Sequence, residues 1–112
     1  MTTHHATLKA PWFQFVKDGK KTIECRLFDE KRQIVKKGDD IIFTNSFGDE
    51  SIRRTVTKLR VFPTFRKALE SCYIGDLLPN FNNVEDGIEA YYDIPEYKLN
   101  EKEYGVVLIY FV

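Results

Sequence analysis

The chain has 112 residues, 17 of them basic and 17 acidic, so its formal charge is zero. At 43% hydrophobic, with nine Phe, six Tyr and one Trp, it has the composition of a globular chain, and its length suits one core (residues 1–112 as one domain) rather than two. No apolar run approaches the roughly 18 residues of a membrane span, and the N-terminus carries no signal-peptide pattern.

Residues 4–9, HHATLK, alternate as a short strand, with His5 and Thr7 on one face and Ala6 and Leu8 on the other. Pro11 suits the first turn of a helix, where its missing N–H costs nothing. Trp12, Phe13, Phe15 and Val16 give that helix a broad apolar face, and Trp12 is expected in the core. Gly19 can take the left-handed turn that stops it. From Lys20 to Leu27 the chain alternates again, Ile23, Cys25 and Leu27 on one face and Thr22, Glu24 and Arg26 on the other.

Ile34 and Val35 precede a turn, KKGDD, and IIFTN then reads as a buried strand. Ser51–Phe62 is rich in β-branched residues, but its apolar phase changes between Val56 and Leu59. Such a change predicts a bulge or strong bend, as barrels use at their corners. Pro63 and Thr64 open a helix with Phe65, Leu69 and Cys72 on one side. Asn83 can cap the next, with Glu85 and Asp86 favourable in its first turn and Val84, Ile88, Tyr91 and Tyr92 facing inward. Tyr104–Val112 closes the chain as a strand apolar on both faces, hence central. The order strand, helix, three strands, two helices, strand predicts an α+β fold, a small mixed β-barrel of about five to six strands flanked by helices.

Two cysteines are few for a small secreted scaffold, so free, buried thiols and a cytoplasmic location are expected. His4 and His5 are adjacent and would point apart in a strand, which argues against a structural zinc site. No metal and no cofactor are expected. Residues 1–67 hold 15 Lys/Arg against 8 Asp/Glu, and residues 68–112 hold 2 against 9. That asymmetry marks a nucleic-acid face beside an acidic flank, or two halves that interleave and cancel.

One stretch carries more chemistry than the rest: Asp18–Arg26, DGKKTIECR. Arg26 offers a planar guanidinium for phosphate or a base edge, and Glu24 an acceptor for an exocyclic amine. Lys20 and Lys21 could meet a phosphate as point charges, and Tyr91 and Tyr92 could stack on an unpaired base. Arg53, Arg54, Lys58 and Arg60 make the long strand basic, with Arg54 a candidate phosphate contact. The alternative is that Glu24 and Arg26 form an internal ion pair pinning a helix to the barrel.

The spacing Gly19-x-Lys21-x-x-Glu24-x-Arg26 resembles the G-x-K-x-x-E-x-R signature of ASCH domains. VKKGDDIIF, FPTFRKAL and EYGVVLIYF resemble further blocks of that family, in the same order, so the likeness spans nearly the whole chain. The resemblance implies a PUA-like fold and binding of RNA, a nucleotide or a nucleoside in a cleft beside the barrel. The signature residues Gly19, Lys21, Glu24 and Arg26 would line that cleft, and with Lys20, Arg54 and Tyr91 from the reading above they are the expected contacts. One branch of the family is an amidohydrolase acting on acetylcytidine, with a lysine base and a threonine nucleophile three residues later; another relative is described as a ribonuclease. Lys21 matches that lysine, but Glu24 stands in the threonine's place. Catalysis, if present, would rest on Lys21 and Glu24. A binding module, a small hydrolase of modified nucleosides or RNA, and a protein-interaction domain are the three classes left open.

Overall fold

The longest strand is also the most bent, and its bend shapes the sheet. The computed structural model describes residues 1–112. Its strands are β1 (Thr3–Leu8), β2 (Ile23–Leu27), β3 (Asp40–Asn45), β4 (Ser51–Phe62) and β5 (Val106–Phe111). Its helices are α1 (Trp12–Lys17), α2 (Glu30–Gln33), α3 (Phe65–Glu70), α4 (Ile74–Leu77), α5 (Val84–Tyr92) and α6 (Tyr97–Tyr104). β4 pairs with β3 along Ser51–Thr55 and with β5 along Val56–Phe62, both antiparallel, and the register slips between Val56 and Lys58. One extra residue at that point bends a strand and raises its twist. The five strands, ordered β1–β3–β4–β5–β2, thereby curl into a half-barrel. β1 runs parallel to β3, and β2 runs antiparallel to β5, which makes the sheet mixed and leaves β1 and β2 as its two edges. The expected α+β, PUA-like architecture is the one observed.

Both faces of the sheet are covered. Inside the curve, Leu8, Ile41, Phe43, Val56, Val107, Ile109 and Phe111 pack with Phe13 and Val16 of α1. Outside it, Ile23, Cys25, Leu27, Val106 and Leu108 pack beneath Phe65, Leu69, Leu77, Ile88 and Tyr91 of α3, α4 and α5. β5 sends alternate residues to the two cores, which explains why its sequence is apolar throughout. Gly105 admits this strand: its φ is +71°, and a Cβ there would lie 2.8 Å from the Phe62 carbonyl oxygen. No helix is long and apolar enough to cross a membrane.

Three helices were not expected. α2 and α4 have four residues each, too few to show a period, and α2 is held by its cap, the Asp29 carboxylate accepting from the Arg32 N–H at 3.3 Å. α6 has no buried residue, so it has no apolar stripe to read. It is tied down by polar contacts instead. Glu101 accepts from the Phe65 N–H at 2.6 Å, capping α3, and from the Tyr92 hydroxyl at 2.8 Å.

The cysteine expectation needs one correction. Both thiols are free and Cys25 is buried, but Cys72 is only partly so. α3 ends at Glu70 with Ser71 as its C-cap, so Cys72 lies beyond the helix whose face was to bury it.

Candidate functional site

The site begins with how α1 ends. Gly19 takes φ +77°, its N–H donates to the Val16 carbonyl at 3.1 Å, and the Lys20 N–H donates to the Phe15 carbonyl at 2.9 Å. These are the two bonds of a Schellman turn, which needs a left-handed residue at that position. The turn leaves Lys20 exposed and sends Lys21 inward, where it is 2% exposed.

A buried ammonium is costly unless every proton finds an acceptor. Lys21 Nζ donates to the Ile23 carbonyl at 2.7 Å and to the Leu77 carbonyl at 2.7 Å, and Glu24 Oε1 lies 3.3 Å away. The Thr22 N–H donates to the Asp76 carbonyl at 2.9 Å. The signature lysine thus clamps the C-terminal end of α4 onto the start of β2.

Glu24 and Arg26 sit opposite Ile109 and Val107 on β5, so they project from the inner face of β2. Glu24 Oε1 also accepts from the Cys25 N–H at 3.0 Å, while Oε2 accepts from Arg26 Nε at 3.0 Å and lies 2.9 Å from Nη2. Arg26 Nη2 donates further to the Thr7 carbonyl of β1 at 3.2 Å. Since β1 and β2 are the unpaired edges of the sheet, this side chain spans the open seam of the half-barrel.

Burial would raise the Glu24 pKa, but the charges of Arg26 and Lys21, with the hydrogen bonds from Arg26 and Cys25, hold it at about 2. Burial pushes the Lys21 pKa down against the pull of Glu24. Glu24 raises the Arg26 pKa against burial, so the guanidinium stays charged. Burial, reinforced by Glu24, pushes the Cys25 thiol well up, which leaves it inert as a nucleophile.

Two hollows flank the Glu24–Arg26 pair at the seam. The smaller, about 30 Å³, lies among His4, Ala6, Arg32 and Ile41 and has room for little more than a water molecule. The larger, about 350 Å³, has Lys21, Glu24 and Arg26 among its lining residues, together with Thr7, Lys9, Trp12, Leu78, Tyr91, Ile94 and Tyr97. Its aromatic wall is rigidly held. The Tyr91 and Tyr97 rings both stack on Phe65, with centroids 4.8 and 5.7 Å away, and Trp12 meets Phe81 edge-on at 6.0 Å.

Of the residues singled out in the sequence, Lys21, Glu24, Arg26 and Tyr91 therefore come together. Gly19 and Lys20 do not line this cavity; their part is the turn that directs Lys21. Arg54 stands elsewhere too: its Nη2 donates to the Val16 carbonyl at 3.1 Å, closing the C-terminal end of α1. Tyr92 faces Glu101 and α6. Sequence reasoning missed Thr7, Lys9 and Tyr97, and assigned Trp12 to the core, whereas it is half-buried against both cores and the cavity. Tyr97 belongs to the helix without a stripe, so no periodic signal could have found it. No cluster of three or more His, Cys, Asp or Glu side chains is arranged to hold a metal ion.

Comparison with known proteins agrees with this architecture. The crystal structure of hypothetical protein PH0355 superposes with a TM-score of 0.86 at 36% identity, covering 99% of this chain and 97% of that one. The solution structure of protein PF0455 from Pyrococcus furiosus gives 0.71 at 33% identity, with coverage of 98% and 96%. An ASCH domain from Lactobacillus crispatus shares the fold at 14% identity, with a TM-score of 0.72 and coverage of 98% and 78%. No protein of curated function matches the chain. The ASCH domain family model matches residues 7–112, and the chain belongs to that family.

Proposed function

We propose that this domain binds RNA or a nucleotide by taking one unstacked base into the cavity at the barrel seam. The observation that carries the reading is the cavity itself: about 350 Å³, mostly apolar and aromatic in lining, with the charged pair of the family signature among its walls. Its size falls at the lower end of small-ligand sites, suited to one ring and its substituents. Trp12, Tyr91 and Tyr97 supply the aromatic surface that single-stranded recognition uses, and Lys9 stands among the lining residues as a partner for the adjoining phosphate.

The hydrolase reading has less support. A lysine base needs a free lone pair within reach of the substrate. Lys21 Nζ is instead engaged with two backbone carbonyls, with the Glu24 carboxylate 3.3 Å away, and is held inside the chain. Acetylcytidine should accordingly be hydrolysed poorly or not at all.

Titration of short single-stranded RNAs and mononucleotides at low and moderate salt tests the proposal. Arg26→Lys, which keeps the cation but not the planar fork, should weaken binding, a directional contact of this kind carrying about 1–3 kcal/mol. Lys98→Ala, exposed on α6 and not among the cavity-lining residues, is the control. No binding above background at low salt, or equal binding by the two variants, would sink it.

A further inference from the structure

If the cavity takes a base, the hydrogen-bond inventory of its charged groups says which edge of the base it can read. We propose that it selects rings presenting a keto oxygen, as in uracil, guanine or hypoxanthine, over rings presenting an amine at the same position, as in cytosine or adenine. This inference rests on the base-binding reading above.

Each carboxylate oxygen accepts about two hydrogen bonds, so Glu24 has four places to fill. The chain sets a nitrogen beside each. Oε1 accepts from the Cys25 N–H and has Lys21 Nζ 3.3 Å away, and Oε2 accepts from Arg26 Nε and has Nη2 2.9 Å away. The backbone acceptors are spoken for as well: Thr7 by Arg26, and Ile23 and Leu77 by Lys21. Glu24 is therefore surrounded by the chain's own cations and donors and poorly placed to accept from an exocyclic amine, contrary to the expectation drawn from its side-chain type alone.

The donor side is not exhausted. Arg26 has five N–H groups. Nε donates to Glu24 and Nη2 to the Thr7 carbonyl, with Glu24 Oε2 2.9 Å from Nη2, while Nη1 makes no hydrogen bond in the chain. No buried side-chain nitrogen or oxygen lacks a partner, so Nη1 must reach open space. Of the two hollows that Arg26 lines, the 350 Å³ cavity has room for a ring and the other holds about 30 Å³. The local charge points the same way, two cations against one carboxylate. The phenols of Tyr97 and Tyr91 lie within electrostatic reach of the guanidinium and can donate or accept to suit whatever it holds. A keto oxygen meets these free donors. An amine sets donor against donor in a space with little water, leaving both sides unpaired, which is the case binding sites discriminate most strongly.

The test is a set of 5′-monophosphates that share one phosphate and differ at one ring position: uridine against cytidine, and inosine against adenosine. Binding to the wild-type chain is measured by calorimetry or by competition with a fluorescent RNA. Tighter binding of the keto member in both pairs, by roughly 5- to 100-fold, is expected for a directional base contact. Equal affinities within either pair, or preference for an amine, would overturn the inference and leave base binding standing. No binding by any of the four would overturn both. In Arg26→Lys the preference should shrink in both pairs even where some affinity survives; an undiminished preference would assign the selection to another group and overturn the role given to Nη1.

Discussion

Two groups of charged residues look alike in the sequence and differ in the folded chain. Lys21, Glu24 and Arg26 are buried or nearly so, bonded to one another, to two strands and to a helix end. Arg53, Arg54, Lys58 and Arg60 lie along β4 and face outward to different degrees. Arg53 pairs with Asp40 at 2.6 Å, Lys58 sits over the Tyr110 ring at 4.4 Å, and Arg60 over Phe62 at 5.1 Å. The first group works as a unit, because no member can leave without stranding a buried charge. The second consists of independent neighbours, each partly hydrated and each replaceable. Both groups hold lysine and arginine; the carboxylate between Lys21 and Arg26, burial and shared partners make the difference.

The sharpest way to break this contrast is Glu24→Ala. It leaves Lys21 and Arg26 facing each other without their carboxylate, and removing one partner of a buried pair typically costs about 3–5 kcal/mol. Urea unfolding should report a loss of that order, with the transition midpoint falling and its slope little changed. A loss below about 1 kcal/mol would show that the cluster is not a unit. Lys21→Met, which fills the space with an apolar chain, should cost less than Lys21→Ala, since it removes the charge along with its need for acceptors.

Acid separates the two groups next. Glu24 is held at about 2 in the folded chain against an ordinary 4.5. A depressed carboxylate pKa adds stability above the unfolded pKa, and that stability drains away as pH falls from about 4.5 towards 2. From this shift the loss is on the order of 3 kcal/mol, given about 1.4 kcal/mol per unit. Asp39, held at about 2 by His4 and by the Thr2 and Lys36 N–H groups, drains in the same window. The Glu24 share is isolated by comparing stability–pH curves of the wild type and Glu24→Gln. The variant's curve should be flatter below pH 4.5 and parallel above it. Parallel curves throughout would mean that Glu24 has no depressed pKa.

Much of this was legible beforehand, and the failures have physical causes. The strands, the bend near Val56, the stop at Gly19 and the doubly buried β5 all leave local signals: alternation, a phase change, a glycine, an unbroken apolar run. The convergence of Lys21, Glu24 and Arg26 was legible through the family spacing, while Tyr91 was read only as an aromatic able to stack or to pack in the core. What no local pattern shows is who accepts from whom. That Leu77, a carbonyl 56 residues away, takes a proton from Lys21 depends on α4, a helix too short to announce itself. The same gap hid the partners that Glu24 and Arg54 have inside the chain.

Arg54 is the intermediate case and sharpens the comparison. It belongs to the basic strand, yet it is half-buried and donates to the Val16 carbonyl at 3.1 Å and the Arg53 carbonyl at 3.0 Å. Arg54→Ala should destabilise by about 1 kcal/mol, the net worth of a hydrogen bond at a helix C-terminus. Binding to the cavity should be unchanged once the variant is folded. A tenfold loss of affinity with unchanged stability would return Arg54 to the binding surface.

The smallest effect belongs to Arg53. Its ion pair with Asp40 is short, but the arginine side chain is 58% exposed. Exposed pairs contribute about 0.2–1 kcal/mol, less in salt, so Arg53→Ala should shift the urea midpoint barely beyond error. Its charge can still matter to a long single strand that runs past the cavity and along β4. If a phosphate rests there, Arg53→Ala lowers the log–log salt slope for a long RNA by about 0.7 and leaves a mononucleotide's affinity untouched. If the slopes for both ligands are unchanged, the strand's path does not cross β4 and the basic residues there are surface alone. If the mononucleotide weakens as much as the long RNA, the two charged groups are coupled after all, and the division between a buried unit and independent neighbours fails.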